Sequence, residues 1–256
     1  MGVLKKRSAI LVEDGNAKAI EGWVAVEGSY ELYLNDTLVD TIVVSPSDLE
    51  AHALGYVVTE GLVKPEEVEA VRQKGGRVFV KTHGRKDIPL SKTIWRSSAY
   101  RGRGGESISL ISANVIVAPA VIVQCAWQIN ELAESWKKSR GVHISLLFNL
   151  EGDLIKTAED IGRHNSVDKV VGYALLHKVP LQETILTCSG RQPEGMVLKA
   201  ARAGIPIVLT KAASTDRGIE QADRLGVTLI GLAQGDRFAI YAHPERIQVV
   251  FSPKVR

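Results

Sequence analysis

Cysteine is scarce in this chain: 256 residues contain two, Cys125 and Cys188, far apart in sequence. That excludes a disulfide-stapled secreted scaffold. One disulfide is possible on paper; a pair of buried thiols in a reducing compartment is the alternative, and the one expected here. Long apolar runs are missing too. No stretch approaches the roughly 20 apolar residues that span a bilayer, and the longest, Val115 to Val123, is interrupted by Pro119. No apolar run of signal-peptide kind follows the opening Met1-Gly2-Val3-Leu4-Lys5-Lys6-Arg7. The expectation is a cytoplasmic protein with no membrane partner. Charge of one sign is also lacking. Lys and Arg number 32 against 29 Asp and Glu, a formal net charge of +3, with the two signs interleaved. A nucleic-acid binder concentrates its basic residues on one face, so no nucleic acid is expected.

What is present is an ordinary globular composition, 45% apolar and 24% charged. The chain is long enough to bury a sizeable core, as one large domain or two small ones. Three regions differ in texture. Residues 1–90 read as a smaller strand-rich subdomain. Trp23 to Glu27 and Tyr30 to Leu34 alternate apolar and polar, the period of half-buried strands, with Glu27-Gly28-Ser29 as the turn between them. Asn35-Asp36 turns the chain into a strand from Thr37 to Val44. Ser47 or Asp48 caps a helix that runs through Leu49, His52, Ala53, Tyr56 and Val57 and stops at Gly61. Gly75-Gly76 makes a tight turn between two further strands. Residues 91–125 are irregular, and Arg101-Gly102-Arg103-Gly104-Gly105-Glu106 is a cationic, glycine-rich loop. Such a loop either approaches a ligand closely, because glycine removes obstruction, or serves as a solvated linker; both readings stand.

Residues 126–256 carry the clearest pattern. Gln128 to Lys138 is an amphipathic helix. Strand Val142 to Phe148 turns at Glu151-Gly152-Asp153 into strand Leu154 to Thr157, and helix Val167 to His177 follows. Strands Thr184 to Thr187, Ile205 to Thr210 and Val227 to Ala233 alternate with helices Glu194 to Ala203 and Asp216 to Leu225, before a last strand, Phe238 to Ala242. This succession implies βαβ units and a largely parallel, buried sheet, an α/β (α+β) core.

In such sheets, ligands bind beyond the carboxyl ends of the strands. Four loops fall there. They carry Arg163, His164 and Asn165; Ser189, Gly190 and Arg191; Lys211 and Ser214; and Gln234, Gly235 and Arg237. Three of them open helices, whose free amides and partial positive charge suit phosphate. Arginine adds bidentate recognition of phosphate oxygens. A large phosphate-bearing ligand is therefore expected. Within the first loop, Asn165 or Ser166 would cap the following helix, and Gly162 suits a turn with positive φ. Asp160 and Asp168 either hold Arg163 or Lys169 in ion pairs or serve the ligand. His164 either contacts a ligand or moves a proton, or is a hydrogen-bonded histidine of the fold.

The run Glu159-Asp160-Ile161-Gly162-Arg163-His164-Asn165-Ser166-Val167-Asp168-Lys169 resembles the signature of the formate dehydrogenase accessory proteins, the FdhD sulfurtransferase family. Ser189-Gly190-Arg191, the stretch from Lys199 to Pro206 and Gly226 to Gly231 resemble that family in the same order, and Asn35 to Gly61 resembles its N-terminal region. The resemblance implies a cytidine-deaminase-like three-layer core. It implies delivery of sulfur from a cysteine desulfurase to the molybdenum cofactor before that cofactor enters formate dehydrogenase. The desulfurase and the formate dehydrogenase apoprotein would then be partners, and a homodimer the assembly. It also implies binding of the cofactor as bis-molybdopterin guanine dinucleotide, or of a guanine nucleotide, partly through Leu232-Ala233-Gln234-Gly235-Asp236-Arg237.

The chain departs from the family at one chemically important place. The family's Cys-X-X-Cys loop should follow Ser97-Ser98, but Ala99-Tyr100-Arg101-Gly102-Arg103-Gly104-Gly105 stands there, without a cysteine. A persulfide relay needs a thiolate. The catalytic residue is thus unassigned. Cys188, beside the Ser189 loop, is the candidate nucleophile, with Cys125 behind it; the alternative for each is a small buried apolar residue. Ser139-Arg140-Gly141 stands where the family has Thr-Gly-Gly, and Ala212-Ala213-Ser214-Thr215 where it has Ser-Ala-Pro-Thr. A deaminase-like fold raises the question of zinc. Zinc deaminases need His-X-Glu and a Pro-Cys-X-X-Cys pair; two separated cysteines cannot supply the pair, so no metal site is expected. Two functions remain open: sulfur transfer to the cofactor, or a non-catalytic cofactor-binding chaperone.

Overall fold

The computed structural model of the chain describes residues 2–84, 93–97, 100–103 and 108–249, with the side chains of 2–84 and 108–249. Strands β1 (Leu4–Glu13) and β2 (Asn16–Ala25) form an antiparallel hairpin closed by Asp14 and Gly15, both at positive φ. Strands β3 (Gly28–Leu34), β4 (Thr37–Val44), β5 (Val68–Lys74) and β6 (Arg77–Thr82) make a four-stranded sheet in the order β4-β3-β6-β5. The expected hairpin across Glu27-Gly28-Ser29 does not form: β2 pairs with β1, while β3 pairs with β4 and β6. Asp14-Gly15 is the true turn, and a two-residue Asp-Gly connection favours a hairpin by supplying positive φ at low cost.

Helix α1 (Leu49–Thr59) covers the four-stranded sheet. Its Leu49, Ala53, Leu54 and Val57 share one core with Leu32, Leu34, Val78 and Val80 of the strands. Asp48 is its N-cap residue, at φ 50, and Gly61 follows its end at φ 70. Strands β7 (Thr93–Ser97) and β8 (Tyr100–Arg103) pair antiparallel. Part of the expected Arg101–Glu106 loop is therefore strand; the side chains of that loop, and its residues 104–106, lie outside the described residues.

The second half of the chain begins with α2 (Pro119–Leu132) and α3 (Glu134–Ser139). The expected helix Gln128 to Lys138 is two helices broken at Ala133, and α2 starts inside the stretch read as irregular. Pro119 opens it, because proline at the first helical position forfeits only an amide that has no partner there. Then come β9 (His143–Asn149), β10 (Leu154–Asp160), α4 (Arg163–Leu176), β11 (Thr184–Cys188), α5 (Glu194–Arg202), β12 (Ile207–Thr210), α6 (Asp216–Leu225), β13 (Thr228–Gln234) and β14 (Arg237–Ala242). These strands form a six-stranded sheet in the order β10-β9-β11-β12-β13-β14. The sheet is mixed rather than largely parallel. Only β11, β12 and β13 run parallel to their neighbours in that trio, while β9, β10 and β14 pair antiparallel. The difference arises because Glu151-Gly152-Asp153 and Gly235-Asp236 are tight turns, and a tight turn can only join antiparallel strands.

Helices cover both faces of this sheet. Leu147, Leu186, Val208 and Leu229 point to the side of α4, α5 and α6, while Leu146, Phe148, Ile185, Leu209 and Ile230 point to the side of α2. Alternate residues of each strand thus enter opposite cores, and the strands read as continuous apolar runs. Cys188 belongs to the first core and Cys125 to the second, and both are free thiols. No helix among the described residues is long and apolar enough to cross a membrane.

Candidate functional site

The signature run folds into two parts with opposite duties. The first is a buried seam joining the two halves of the chain. Helices α1 and α4 meet at two glycines. A Cβ on Gly172 would lie 1.7 Å from the Ala51 carbonyl oxygen, and one on Gly55 would lie 1.8 Å from that of Asp168. Only hydrogen fits at either place. On either side of this crossing sits a buried charge cluster. Asp160 pairs with Lys169 at 2.7 Å, both fully buried. Asp160 also accepts from the amides of Ser45 and Gly162, each at 2.9 Å, and from the Asn165 side chain at 2.8 Å. Lys169 donates to the Ser45 carbonyl and the Ser47 hydroxyl. At the second cluster, Lys199 donates to both oxygens of Asp168, at 2.8 and 2.9 Å, and pairs with Glu60 at 2.8 Å. Thr59 donates to Asp168 at 2.6 Å. His52 is fully buried in the same seam; burial, then Lys169, pushes its pKa down to about 3, so its ring is neutral.

Asp160, Asp168, Lys169 and Lys199 are therefore fold-holding residues, each charge met by several partners. Asn165 belongs with them, because its amide is spent on the Val43 carbonyl and Asp160. Neither Asn165 nor Ser166 caps α4. The helix starts four residues earlier than expected, with Gly162 as N-cap residue at φ −109, so Gly162 does not need positive φ. Arg163 and His164 thus occupy the first turn of a helix rather than a loop.

The second part is a cationic corner at the end of the six-stranded sheet. Arg163 opens α4 and leans over the loop after β11. A Cβ on Gly190 would come within 2.9 Å of Arg163 Cδ and 3.4 Å of His143 Nδ1, so glycine there is what lets the arginine lie across the loop. Ser189 accepts from the Ile144 amide at 3.0 Å and meets His143 Nδ1 at 3.3 Å. Arg163 is half-buried, and its Nε is enclosed without a hydrogen-bond partner. Its pKa is lowered, first by burial and then by repulsion from Arg191. No carboxylate among the described residues forms an ion pair with either arginine. Two like charges, one on the half-buried Arg163 and one on the exposed Arg191, form a place that favours an anion. Burial and the same Arg163 charge lower the pKa of His143. Burial, Lys199 and Arg163 hold His164 well below the usual imidazole range. Both rings are neutral at physiological pH, able to give or take a hydrogen bond.

The loops after β11 and β12 are tied together below this corner. Gln192 donates its amide to the Ala213 carbonyl at 3.1 Å, and Thr215 donates its own to the Gln192 carbonyl at 3.2 Å. Lys211 lies beside Ser189 and His143, lining a cavity of about 370 Å³. The last expected segment is separate. Gln234 and Arg237 face each other across the β13–β14 turn, and Asp236 and Arg237 line another concavity with Phe238, Pro244 and Val249. Leu232 is exposed at φ 54, a left-handed conformation unusual for a branched residue, and its amide donates to the Ala212 carbonyl at 3.0 Å. Strain of that kind collects at working surfaces. Ala233 is buried in the α2-side core.

Neither thiol sits where a nucleophile would. Cys188 is buried on the α4 side, accepts from the Ser145 hydroxyl at 3.7 Å, and burial pushes its pKa up to about 11. Burial pushes Cys125 up to about 12. The thiolate is the reactive form, so both thiols are inert at neutral pH in this conformation. His243-Pro244-Glu245 has the His-X-Glu spacing of a deaminase, but His243 pairs with Glu245 at 2.7 Å and with the Asp223 carbonyl at 2.8 Å. Sequence reasoning missed His143 as a site residue. Its one signal was a histidine at the very start of a buried strand.

The fold is thus a mixed α/β core with Arg163 and Arg191 beyond its central strands, in no ion pair with a carboxylate among the described residues. The FdhD/NarQ family model matches residues 25–248, and the chain belongs to that family. It is 33% identical over 253 residues to the sulfur carrier protein FdhD of Sulfolobus acidocaldarius, covering 96% of this chain and 99% of the relative. It is 34% identical to the protein of the same name from Saccharolobus solfataricus, over 96% of this chain and 100% of the relative. A crystal structure described as that of a formate dehydrogenase accessory protein, from Desulfotalea psychrophila, superimposes with a TM-score of 0.80 at 27% identity, covering 96% of this chain and 100% of that one.

Proposed function

We propose that this protein serves the maturation of formate dehydrogenase by binding the molybdenum cofactor in its bis-molybdopterin guanine dinucleotide form at the Arg163–Arg191 corner. The observation that carries this reading is the pair of arginines with no carboxylate partner among the described residues, one of them with an enclosed Nε that has no hydrogen-bond partner there. A dinucleotide supplies several phosphate oxygens, and planar guanidinium groups suit them. The names of the relatives supply the context of sulfur and formate dehydrogenase. Lys211 and the Leu232–Arg237 segment would extend the contact surface. The test is recovery of bound ligand. Heat-released supernatant from protein purified out of a molybdenum-replete cell should contain pterin and guanine nucleotide, and purified protein should bind GDP by calorimetry. Failure of both would overturn the reading.

Sulfur transfer is a second reading, favoured by the sulfur-carrier name of the relatives. In this chain it would have to run through Cys188 or Cys125, because no cysteine stands between Ser97 and Glu106, and Cys188, beside the Ser189 loop, is the better placed. Burial of that thiol favours the carrier of cofactor over the carrier of sulfur. Incubation with a cysteine desulfurase and labelled cysteine, followed by mass spectrometry, should leave Cys125 and Cys188 unlabelled. Label lost in Cys188→Ser would reverse the preference.

A further inference from the structure

The hairpin of β1 and β2 is poorly covered by the rest of the fold. Every residue of β1 after Leu4 is exposed, Ile10 at 73% and Val12 at 64%. Ala9-Ile10-Leu11-Val12 is thus an apolar run on a strand with solvent on both faces. A two-stranded hairpin of this kind is marginal in water, and three or more strands are needed for stability. The strand also has an open edge. Among the described residues β1 pairs only with β2, and it does so without a bulge. The Val26 amide donates to the Val3 carbonyl at 2.8 Å, which fixes the phase of the ladder. Hydrogen-bonded pairs recur at every second residue, so Lys5, Arg7, Ala9, Leu11 and Glu13 spend their backbone groups on β2. Lys6, Ser8, Ile10 and Val12 turn theirs to the open edge. Proteins usually break such an edge with proline, a bulge or a charge. Here ten residues run without proline, and the apolar run carries no charge.

We infer that β1 is a dimerisation strand: it pairs antiparallel with β1 of a second copy of this chain, about a twofold axis at Ile10, and two hairpins become one four-stranded sheet. The sequence is complementary to itself in that register. Ile10 stands opposite the partner's Ile10, Ala9 opposite the partner's Leu11, and Ser8 opposite the partner's Val12. The exposed Arg7 stands opposite the partner's Glu13, and Lys6 opposite the turn at the partner's Asp14. Cross-strand pairs of apolar residues and of opposite charges are what stabilise a sheet. Neighbouring registers fit less well. An axis at Ala9 keeps one charge pair, Lys5 with the partner's Glu13, but sets Arg7 against the partner's Leu11 and Lys6 against the partner's Val12. An axis at Leu11 sets Glu13 against the partner's Ala9. Strand β2 offers no equivalent, because its Lys18 and Glu21 project from opposite faces. This charge pattern favours a second copy over an unrelated strand as the occupant of the edge.

The experiment is sedimentation equilibrium of the full-length protein and its variants. Wild type should show twice the chain mass at micromolar concentration; a monomer overturns the inference. Ser8→Pro removes an outward amide and leaves the hairpin ladder intact. Two hydrogen bonds are then lost across the axis, and the dissociation constant should rise about tenfold or more. A Ser8→Pro protein that dimerises like wild type places the interface elsewhere and overturns the inference. Arg7→Glu and Glu13→Arg each set like charges against one another twice across the axis. Each alone should weaken the dimer about tenfold or more. Mixed together they should restore it, because every glutamate of one copy then faces an arginine of the other. Misfolding of the hairpin cannot produce that recovery. Single variants that dimerise like wild type, or a mixture no tighter than its components, overturn the inference.

Discussion

The α1–α4 seam and the Arg163–Arg191 corner are built from one stretch of chain, yet they treat charge in opposite ways. In the seam every buried charge has an answer: Lys169 for Asp160, and Lys199 for Asp168 and Glu60. At the corner, Arg191 repels Arg163, and among the described residues no carboxylate forms an ion pair with either. Paired buried charge holds a fold together, because removing one partner strands the other. Unpaired charge at a surface cleft stores an interaction for something that arrives later. The contrast separates residues of the same motif by role, which motif membership alone does not do.

The sharpest way to break the comparison is Lys199→Met, which strands two buried carboxyls and should cost about 3–5 kcal/mol in denaturant unfolding. That loss should depend on pH. Burial already pushes Asp168 up to about 6, even with Lys199 beside it. A folded-state pKa above the unfolded one gives stability that is present in acid and lost as pH rises through the folded value. Without Lys199 the carboxyl titrates higher still, so the deficit against wild type should be constant in acid and widen from about pH 6 towards pH 8. A deficit that is flat with pH would mean that Lys199 acts by packing rather than charge.

Next in size is Gly172→Ala, whose Cβ has no room against the Ala51 carbonyl; a loss of about 3 kcal/mol or more is expected. A variant as stable as wild type would show that the helices separate easily. Arg163→Ala should behave in the reverse manner. Its melting temperature should hold or rise, since a repulsion is removed, while GDP affinity falls by about 1.5–3 kcal/mol. Unfolding instead of weakened binding would move Arg163 into the seam. The smallest effect expected is that of Arg237→Ala, an exposed residue in a separate concavity, at about 1 kcal/mol of GDP affinity or less with no change in stability.

Much of the second half of the chain was legible. The strand ends, α5 and α6 agree with their periodic patterns to within a few residues, because their apolar runs enter buried cores on both faces of the sheet. The first hairpin was not legible. In β1 and β2 most side chains are exposed, so no burial pattern marks those strands, and Trp23–Glu27 was matched with the wrong neighbour. The start of α4 was missed for another reason. Arg163, His164 and Asn165 look like loop residues, and they are helical because Asp160 gathers the Gly162 amide and the Asn165 side chain.

By itself the sequence determined the family, the α/β class, the scarcity of thiols and the set of cationic residues near the ends of the strands. These follow from local pattern and from residue identity. Tertiary structure alone decided which charges were already spent. Ser45, Thr59 and Glu60 lie more than a hundred residues from Asp160 and Lys199 in the chain, and only folding brings them into contact. It also decided that Cys188 is a core thiol and that Arg140 stacks on Trp136 beside Lys211. Burial and pairing are properties of neighbours in space, and the same side chain becomes a tie or a ligand contact according to which neighbours the fold supplies.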